Sequence, residues 1–441
     1  MYILYNSMLY LVTILFLPLF ILLLMINKRY CDGLLEKLGV MRWKDVSAFS
    51  GGRPVWVHAV SVGEVMAALP LVRELKRAFP RQPILLSTAT ATGKATAERS
   101  SQFIDRVIFF PFDYHWCSRL FISRFQPLAF ISLETELWPN FLRELNRRNI
   151  PAVMVSGRIS SRSFPRYRMF KFFFQRVLAN LTCCCMQSSA DAQRLIELGA
   201  EPAAVRVTGN LKFDQALPEV SRELTEKLCR DLNLNPEQPV FIAGSTHKGE
   251  EEIILASFRE LKKYFSGLVL ILAPRHPGRF DEVAALIQKT GLPFSRKTAL
   301  SAAAAGPGDV ILLDTIGELA TLYSIATIVF IGGSLVPVGG HNLLEAAVFK
   351  KPVLFGPHMD SCAEIANALQ RNGGGIEVAD QAGLIKQARL LLSDRGLRES
   401  AGAHAYQVIA DNSGALQKSM DVLKPIIEQH TARASSAPHT P

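Results

Sequence analysis

Several polar clusters in this 441-residue chain fall directly after an apolar run and before a helix-like pattern. Open α/β sheets hold their ligands at that position, beyond the carboxyl ends of the strands. In the first half, Val55–Val60 leads into Ser61-Val62-Gly63-Glu64. Glu64 then lies in a first helical turn, where the helix dipole favours the ionised carboxylate that a general base needs. Ser61-x-x-Glu64 is equally a capping box, so spacing leaves base and cap both open. Glu134 and Glu136, in Leu133–Pro139 (LETELWP), follow another such run. Carboxylates among Leu133, Leu137 and Trp138 are costly to desolvate unless paired. Lys212, in Gly209–Asp214 (GNLKFD), is either their partner or a solvated loop lysine.

The second half carries a different chemistry. Pro274-Arg275-His276-Pro277 follows the apolar run Leu268–Leu272. Arg275 is placed there to bind a phosphate or carboxylate through its fork, or else to stand in solvent. Gly332-Gly333-Ser334 follows Ile328–Ile331, and Gly339-Gly340-His341-Asn342 opens a predicted helix Leu343–Phe349. Glycines admit a ligand to the backbone, and a helix N-terminus offers free N–H groups to phosphate; plain turn glycines are the alternative. Glu318, in Asp314–Leu319 (DTIGEL), could meet a ribose or complement a helix start. Gly-x-Gly-x-x-Gly and Gly-x-x-x-x-Gly-Lys-Ser/Thr are absent, which argues against a standard dinucleotide oxidoreductase and a P-loop ATPase.

The elements that must position these residues read as a repeated strand–helix alternation from Pro54 onward. Strands are expected at Val55–Val60, Ile84–Ser87, Val107–Phe110, Leu128–Leu133, Ala152–Val155, Leu181–Met186 and Val205–Thr208. After a Pro-containing break they resume at Val240–Ala243, Leu268–Leu272, Val310–Leu313, Ile328–Ile331 and Val353–Phe355. Near-continuous apolar strands alternating with helices imply parallel sheets covered on both faces. Two doubly wound α/β domains facing a cleft are the economical reading. With 49% hydrophobic and 20% charged residues, disordered, collagenous and disulfide-framework classes are excluded. A net charge of +10 favours anionic partners. The seven cysteines show no C-x-x-C spacing, and three form a buried-strand run at Cys183–Cys185.

Met8–Ile26 holds no charged residue and would make a helix about 28 Å long, near the thickness of a hydrocarbon core. Lys28, Arg29, Lys37, Arg42 and Lys44 follow, which predicts a single N-terminal membrane-anchor helix with the bulk of the chain on the cytoplasmic side. Such a helix either spans the bilayer or lies in one leaflet. Residues 141–180 carry nine basic side chains against Glu144 alone, interleaved with Phe164, Tyr167, Phe170, Phe172, Phe173 and Phe174. An anionic lipid surface fits this stretch. RNA and simple packing are the rival readings. The predicted divisions are 1–27 anchor, 28–217 acceptor-binding domain, 218–430 donor-binding domain and 431–441 disordered tail.

The motifs HAVSVGE (His58–Glu64), ETELWPN (Glu134–Asn140), TGNLKFD (Thr208–Asp214), STHKGEE (Ser245–Glu251), PRHP (Pro274–Pro277), GEL (Gly317–Leu319) and the stretch Phe330–His358 run nearly end to end. In these the chain resembles the 3-deoxy-D-manno-oct-2-ulosonic acid (Kdo) transferases of lipopolysaccharide and lipid A synthesis. The resemblance implies a GT-B glycosyltransferase of two Rossmann-like domains on the cytoplasmic face of the cell inner membrane. It implies CMP-Kdo as donor substrate, lipid IVA as acceptor, no metal or other cofactor, and no nucleic-acid partner. By the family pattern Glu64 is the proton acceptor, and Glu134 and Lys212 support the transition state. CMP would lie against Pro274 and Arg275, Ile316, Gly317 and Glu318, and Asn342, Leu343, Leu344 and Glu345. The family's usual Asn-Pro-Leu-Glu is Asn342-Leu343-Leu344-Glu345 here. The alternatives are another membrane-associated GT-B enzyme using a UDP-sugar, or a non-catalytic protein that binds anionic lipid.

Overall fold

The structure is a computed structural model that describes residues 1–26, 33–40, 49, 52–161, 163–214, 221–300 and 308–436. The chain divides into two compact units, one of residues 1–215 with 412–441 and one of residues 216–411.

The first unit is built on a seven-stranded sheet: β1 Val55–His58, β2 Ile84–Thr88, β3 Arg106–Phe109, β4 Ala129–Leu133, β5 Ala152–Gly157, β6 Cys183–Met186 and β7 Val205–Val207. The strands lie in the order β3-β2-β1-β4-β5-β6-β7, and every pair is parallel. Val57 pairs with Leu86 on one side and Ile131 on the other. Strand side chains alternate between faces, so each strand feeds two cores. Val55 and Val57 pack with Val65, Leu71 and Leu75 of helix Val62–Ala78. Trp56 turns to the opposite face, ringed by Phe125, Phe130 and Phe141, and its Nε1 donates to Ser87 Oγ at 2.8 Å. The Cys183–Cys185 run lies buried in β6 as expected.

The second unit repeats the plan with β8 Val240–Thr246, β9 Val269–Pro274, β10 Phe294–Arg296, β11 Val310–Leu312, β12 Ile328–Ile331, β13 Val353–Phe355 and β14 Gly375–Glu377. Their order is β10-β11-β9-β8-β12-β13-β14, again all parallel. The edge strands β10 and β14 have no counterpart in the sequence reading. Each is three residues long and only partly buried, so neither leaves an apolar run to detect. In both sheets the winding reverses beside the first strand, between β1 and β4 and between β8 and β12. Ligands of doubly wound sheets bind at such switch points.

Two expectations about the chain ends need correction. The second unit stops at Asp411, not at 430, and helix Ala415–Ser436 belongs to the first unit. Its Met420, Leu423 and Ile427 are buried in the core behind Val55 and Val57, which carries the helix through residues expected to be disordered up to 436. Asp214 fixes its start, accepting from Gly414 N and Leu416 N at 2.7 Å each. Residues 437–441, the basic residues Lys28, Arg29, Arg42 and Lys44, and the loop 301–307 lie outside the described residues.

The N-terminal helix runs from Tyr2 to Ile26, beginning six residues before Met8, and its side chains are described as far as Pro18. Among the described residues no helix is long and apolar enough to cross a membrane. The early turns are instead tied to the first unit by polar side chains. Tyr5 donates to Asp113 Oδ2 at 2.9 Å, and Asn6 exchanges hydrogen bonds with Asn140. Thr13 bonds Tyr114 at 2.5 Å.

Candidate functional site

In the first unit, β1 runs through Ala59 and Val60 into helix Val62–Ala78. Ser61 is the N-cap, and its Oγ accepts from Glu64 N at 3.4 Å. The Glu64 carboxylate reaches back, accepting from Val60 N at 2.8 Å and from Ser61 Oγ at 3.1 Å. Glu64 is therefore a capping residue by geometry. The same bonds hold its carboxyl at the carboxyl end of β1, beside the switch point. Burial raises its pKa above the ordinary glutamate value, reinforced by the charge of Glu134 and opposed by Val60 N–H, Ser61 and Lys212. The helix start does not decide the direction; desolvation does. A carboxylate made more basic in this way is a better proton acceptor near neutral pH.

Glu134 stands at the end of β4 with φ 54°, a left-handed conformation uncommon for a side chain of this size. Its N–H donates to Val155 O at 2.9 Å. Its Oε1 accepts from Lys212 Nζ at 2.7 Å, so the lysine is a partner and not a solvated loop residue. Lys212 is held in a 3-10 turn, Leu211–Asp214, where Lys212 N donates to Asn210 Oδ1 and Leu211 N to Ser156 Oγ. Glu136 joins the same cluster. Burial, then Glu64 and Glu134, push its carboxyl up to about 7. The sequence motif displays Glu136 but offers no sign that it is the carboxyl most resistant to ionising. That property comes from burial where its own segment meets that of Glu64.

In the second unit, the loops after β8 and β12 are joined by one carboxylate. Glu250, fully buried, accepts from His247 N, Gly333 N, Ser334 N and Leu335 N at 2.7–3.0 Å. Glu251 beside it is also fully buried and takes Arg279 at 2.7 and 3.3 Å, with Thr246 Oγ1 at 3.0 Å. Neither glutamate is distinguishable in the sequence from an exposed helix-start acid. On this frame His247 Nε2 and His341 Nε2 meet at 2.8 Å, with the ring planes 12° from parallel. His276 packs edge-on against His247. Gly333 lies beneath them, and a Cβ there would come within 3.1 Å of His341, which explains the glycine. Burial, with Arg275 and the neighbouring histidines, pushes His341 down to about 4, and burial also lowers His247. Both rings are neutral at pH 7, so one donates and the other accepts.

Arg275 is exposed at this edge, its backbone N–H donating to Thr246 O at 3.0 Å. Its guanidinium acts electrostatically on His247, His341 and Glu345. Pro274 closes β9 and is buried. The predicted helix Leu343–Phe349 is a short one, Leu344–Ala347. Asn342 stands just before its N-cap Leu343, with Oδ1 accepting from Leu344 N at 3.1 Å and Nδ2 donating to Glu345 Oε1 at 3.2 Å. Leu343 and Leu344 are buried, so their side chains face the core. Ile316, Gly317 and Glu318 occupy the loop after β11, at the same sheet edge. Ile316 is 69% exposed, Gly317 has φ 91°, and Glu318 accepts from Lys297 Nζ at 2.9 Å. Their contacts are with that loop and Lys297, not with the histidines.

Comparison with known proteins places this arrangement. The family profile described as 3-Deoxy-D-manno-octulosonic-acid transferase (kdotransferase) matches residues 32–215. A 3-deoxy-D-manno-octulosonic acid transferase of Haemophilus influenzae is 39% identical over 383 residues, covering 85% of this chain and 88% of that protein. Its counterpart in Bordetella pertussis is 34% identical over 380 residues, covering 84% and 87%. In fold, a UDP-GlcNAc 2-epimerase of Neisseria meningitidis superposes with TM-score 0.58 at 13% identity, covering 84% of this chain and 100% of that one. The two parallel-sheet units are those of the GT-B class, and the chain belongs to the 3-deoxy-D-manno-octulosonic acid transferase family of glycosyltransferases.

Proposed function

We propose that this enzyme transfers Kdo from CMP-Kdo to the lipid A precursor lipid IVA. The observation that carries the reading is the Glu64–Glu134–Lys212 cluster at the switch point of the first sheet. An acceptor hydroxyl oxygen forms a bond to the anomeric carbon of Kdo. The bond from that carbon to the phosphate oxygen breaks, and CMP leaves with the electron pair. The hydroxyl proton passes to Glu64, whose raised pKa suits the task. Lys212, held on Glu134, places a cation where charge redistributes in the transition state. Arg275, the His247–His341 pair and the Asn342–Glu345 helix start receive CMP. The departing phosphate is served by these side chains, and no metal or other cofactor takes part.

The reading also puts the enzyme at the cytoplasmic face of the inner membrane, with the N-terminal helix as its anchor. Supporting it, Ile3, Leu4, Leu11, Ile14 and Leu15 are exposed along that helix. Met169, Phe170 and Phe172 are exposed among Arg166, Arg168 and Lys171. The two segments adjoin, since Tyr5 stacks near Phe173 at 5.6 Å. An anionic lipid surface matches such basic and apolar side chains; nucleic acid is not a partner.

The test is incubation of the full chain in detergent with lipid IVA and either CMP-Kdo or UDP-GlcNAc, followed by mass spectrometry. A product heavier by one or more Kdo residues, formed from CMP-Kdo alone, is the expected result. Transfer from the uridine donor, or no Kdo adduct, contradicts the assignment.

A further inference from the structure

The second unit carries a cavity at the edge of its sheet opposite the loops described above. It measures about 350 Å³ and opens where β8, β12 and β13 begin, under helices Arg222–Asp231 and Arg395–Asn412. Its wall includes Val240, Thr327 and Pro352, at or just before the first residues of those strands. The loop after β8, with His247, and the loop after β12, with Gly333, leave the other ends of the same strands. The cavity therefore lies at the opposite strand ends from the residues assigned to CMP.

Three cations line it, Lys350, Lys351 and Arg398. Lys351 is half-buried, and among the described residues its ammonium has neither a hydrogen-bond partner nor a salt bridge. Its neighbour Lys350 is occupied elsewhere, lying over the Tyr406 ring at 5.1 Å. Arg398 donates one bond to Leu391 O at 2.9 Å and, among the described residues, makes no salt bridge. Burial, and then the repulsion of Arg398, push the Lys351 ammonium down to about 8. Lys351 and Arg398 repel one another, and an anion placed between them relieves that repulsion. The remaining wall is rich in groups that bind hydroxyls: Ser324, Asn235 and the carboxylates of Glu226 and Glu237. Glu399, also on the wall, is held by Arg395 at 2.7 Å and is attracted by Arg398.

We infer that this cavity is a second ligand site, separate from the donor site, for a small phosphorylated sugar. The phosphate sits between Lys351 and Arg398, and the sugar hydroxyls meet the amide, hydroxyl and carboxylate wall. Free phosphate shares the first half of this chemistry and lacks the second, so it binds more weakly. A sugar without phosphate lacks the anion and does not bind.

The test uses isotope-labelled reductive methylation of the full chain, which keeps lysine charges, with the Lys351 signal assigned by its loss in Lys351→Arg. Glucose-6-phosphate is expected to shift that signal saturably. Inorganic phosphate should do so with lower affinity, and glucose should not. Loss of one charge-assisted contact in Arg398→Met should weaken glucose-6-phosphate binding roughly 10- to 150-fold. A Lys351 signal unmoved by glucose-6-phosphate up to about 10 mM overturns the proposal, as does one that follows ionic strength alone. Equal affinity for phosphate and the sugar phosphate overturns the sugar half. Because the signal is read in the unmutated chain, a folding defect in Arg398→Met does not obscure the outcome.

Discussion

The two sheet edges that carry chemistry share one plan and differ in sign. Both sit at the switch point of a parallel sheet, on loops after the first strand and its neighbour. At the first, Glu64, Glu134 and Glu136 gather around Lys212, and burial raises the pKa of Glu64 and Glu136. At the second, burial lowers His247 and His341 while Arg275 stands exposed beside them. Desolvation always disfavours the charged form. It therefore makes proton acceptors of the carboxylates in one unit and neutral hydrogen-bonding rings of the imidazoles in the other. Burial raises Glu251 of the second unit as well, but there the carboxylates are spent on structure. Glu250 takes four backbone N–H groups and Glu251 takes Arg279.

The largest expected break in this comparison is at Glu64. Glu64→Gln keeps an oxygen for Val60 N–H but cannot take a proton. Turnover should fall about 10²–10⁴-fold, with thermal stability and CMP binding near normal. Mass-spectrometric rates and a melting curve on the same preparation check it. A variant retaining more than about a tenth of normal turnover would leave Glu64 as a cap only. In the intact enzyme the raised pKa sets the sign of the acid limb, with rate falling as pH drops through it.

Next in size is the support beneath the second site. Arg279→Met leaves Glu251 buried without its fork, which should cost about 3–5 kcal/mol of stability. Denaturant unfolding measures this, and a loss under about 1 kcal/mol would show that the pair does not hold the loops. Arg275→Ala is gentler. The side chain is exposed and carries no structural bond, so folding should be untouched while CMP binds roughly 10- to 150-fold more weakly. Calorimetric titration with CMP and, separately, with lipid IVA checks it. A defect confined to the acceptor would exchange the roles assigned to the two edges.

Much of this was legible in the apolar runs. The twelve expected strands are all present, with ends shifted by a few residues, because central parallel strands are buried on both faces and show it in composition. The edge strands β10 and β14 escaped for the opposite reason. The return of helix Ala415–Ser436 to the first unit escaped because its partner, Val55–Val57, lies far away in the chain. At the sites, residue types and loop positions were readable: Glu64, Glu134, Lys212 and Arg275 stand where strand–turn–helix order puts them. Pairings were not. The Lys212–Glu134 contact, the four donors on Glu250 and the His247–His341 contact join loops from separate strands, and spacing within one loop holds no record of them.

The last effect sharpens the contrast most, because it isolates burial from function. Glu136 is pushed up to about 7, against an ordinary glutamate near 4.5. A carboxyl raised by folding contributes stability that is fully present below the ordinary value and is lost as pH climbs through the folded one. The enzyme should therefore lose stability between pH 4.5 and about 7 through this residue. Glu136→Gln keeps the shape and removes the titration. At pH 5 the two proteins should melt nearly together. At pH 8 the variant should melt higher, by about 2–4 °C for each kcal/mol relieved in a unit of this size. Melting curves across that range measure the gap. A constant difference at every pH would mean that Glu136 is not desolvated by the cluster. The two edges would then differ in residue type alone and not in what burial does to them.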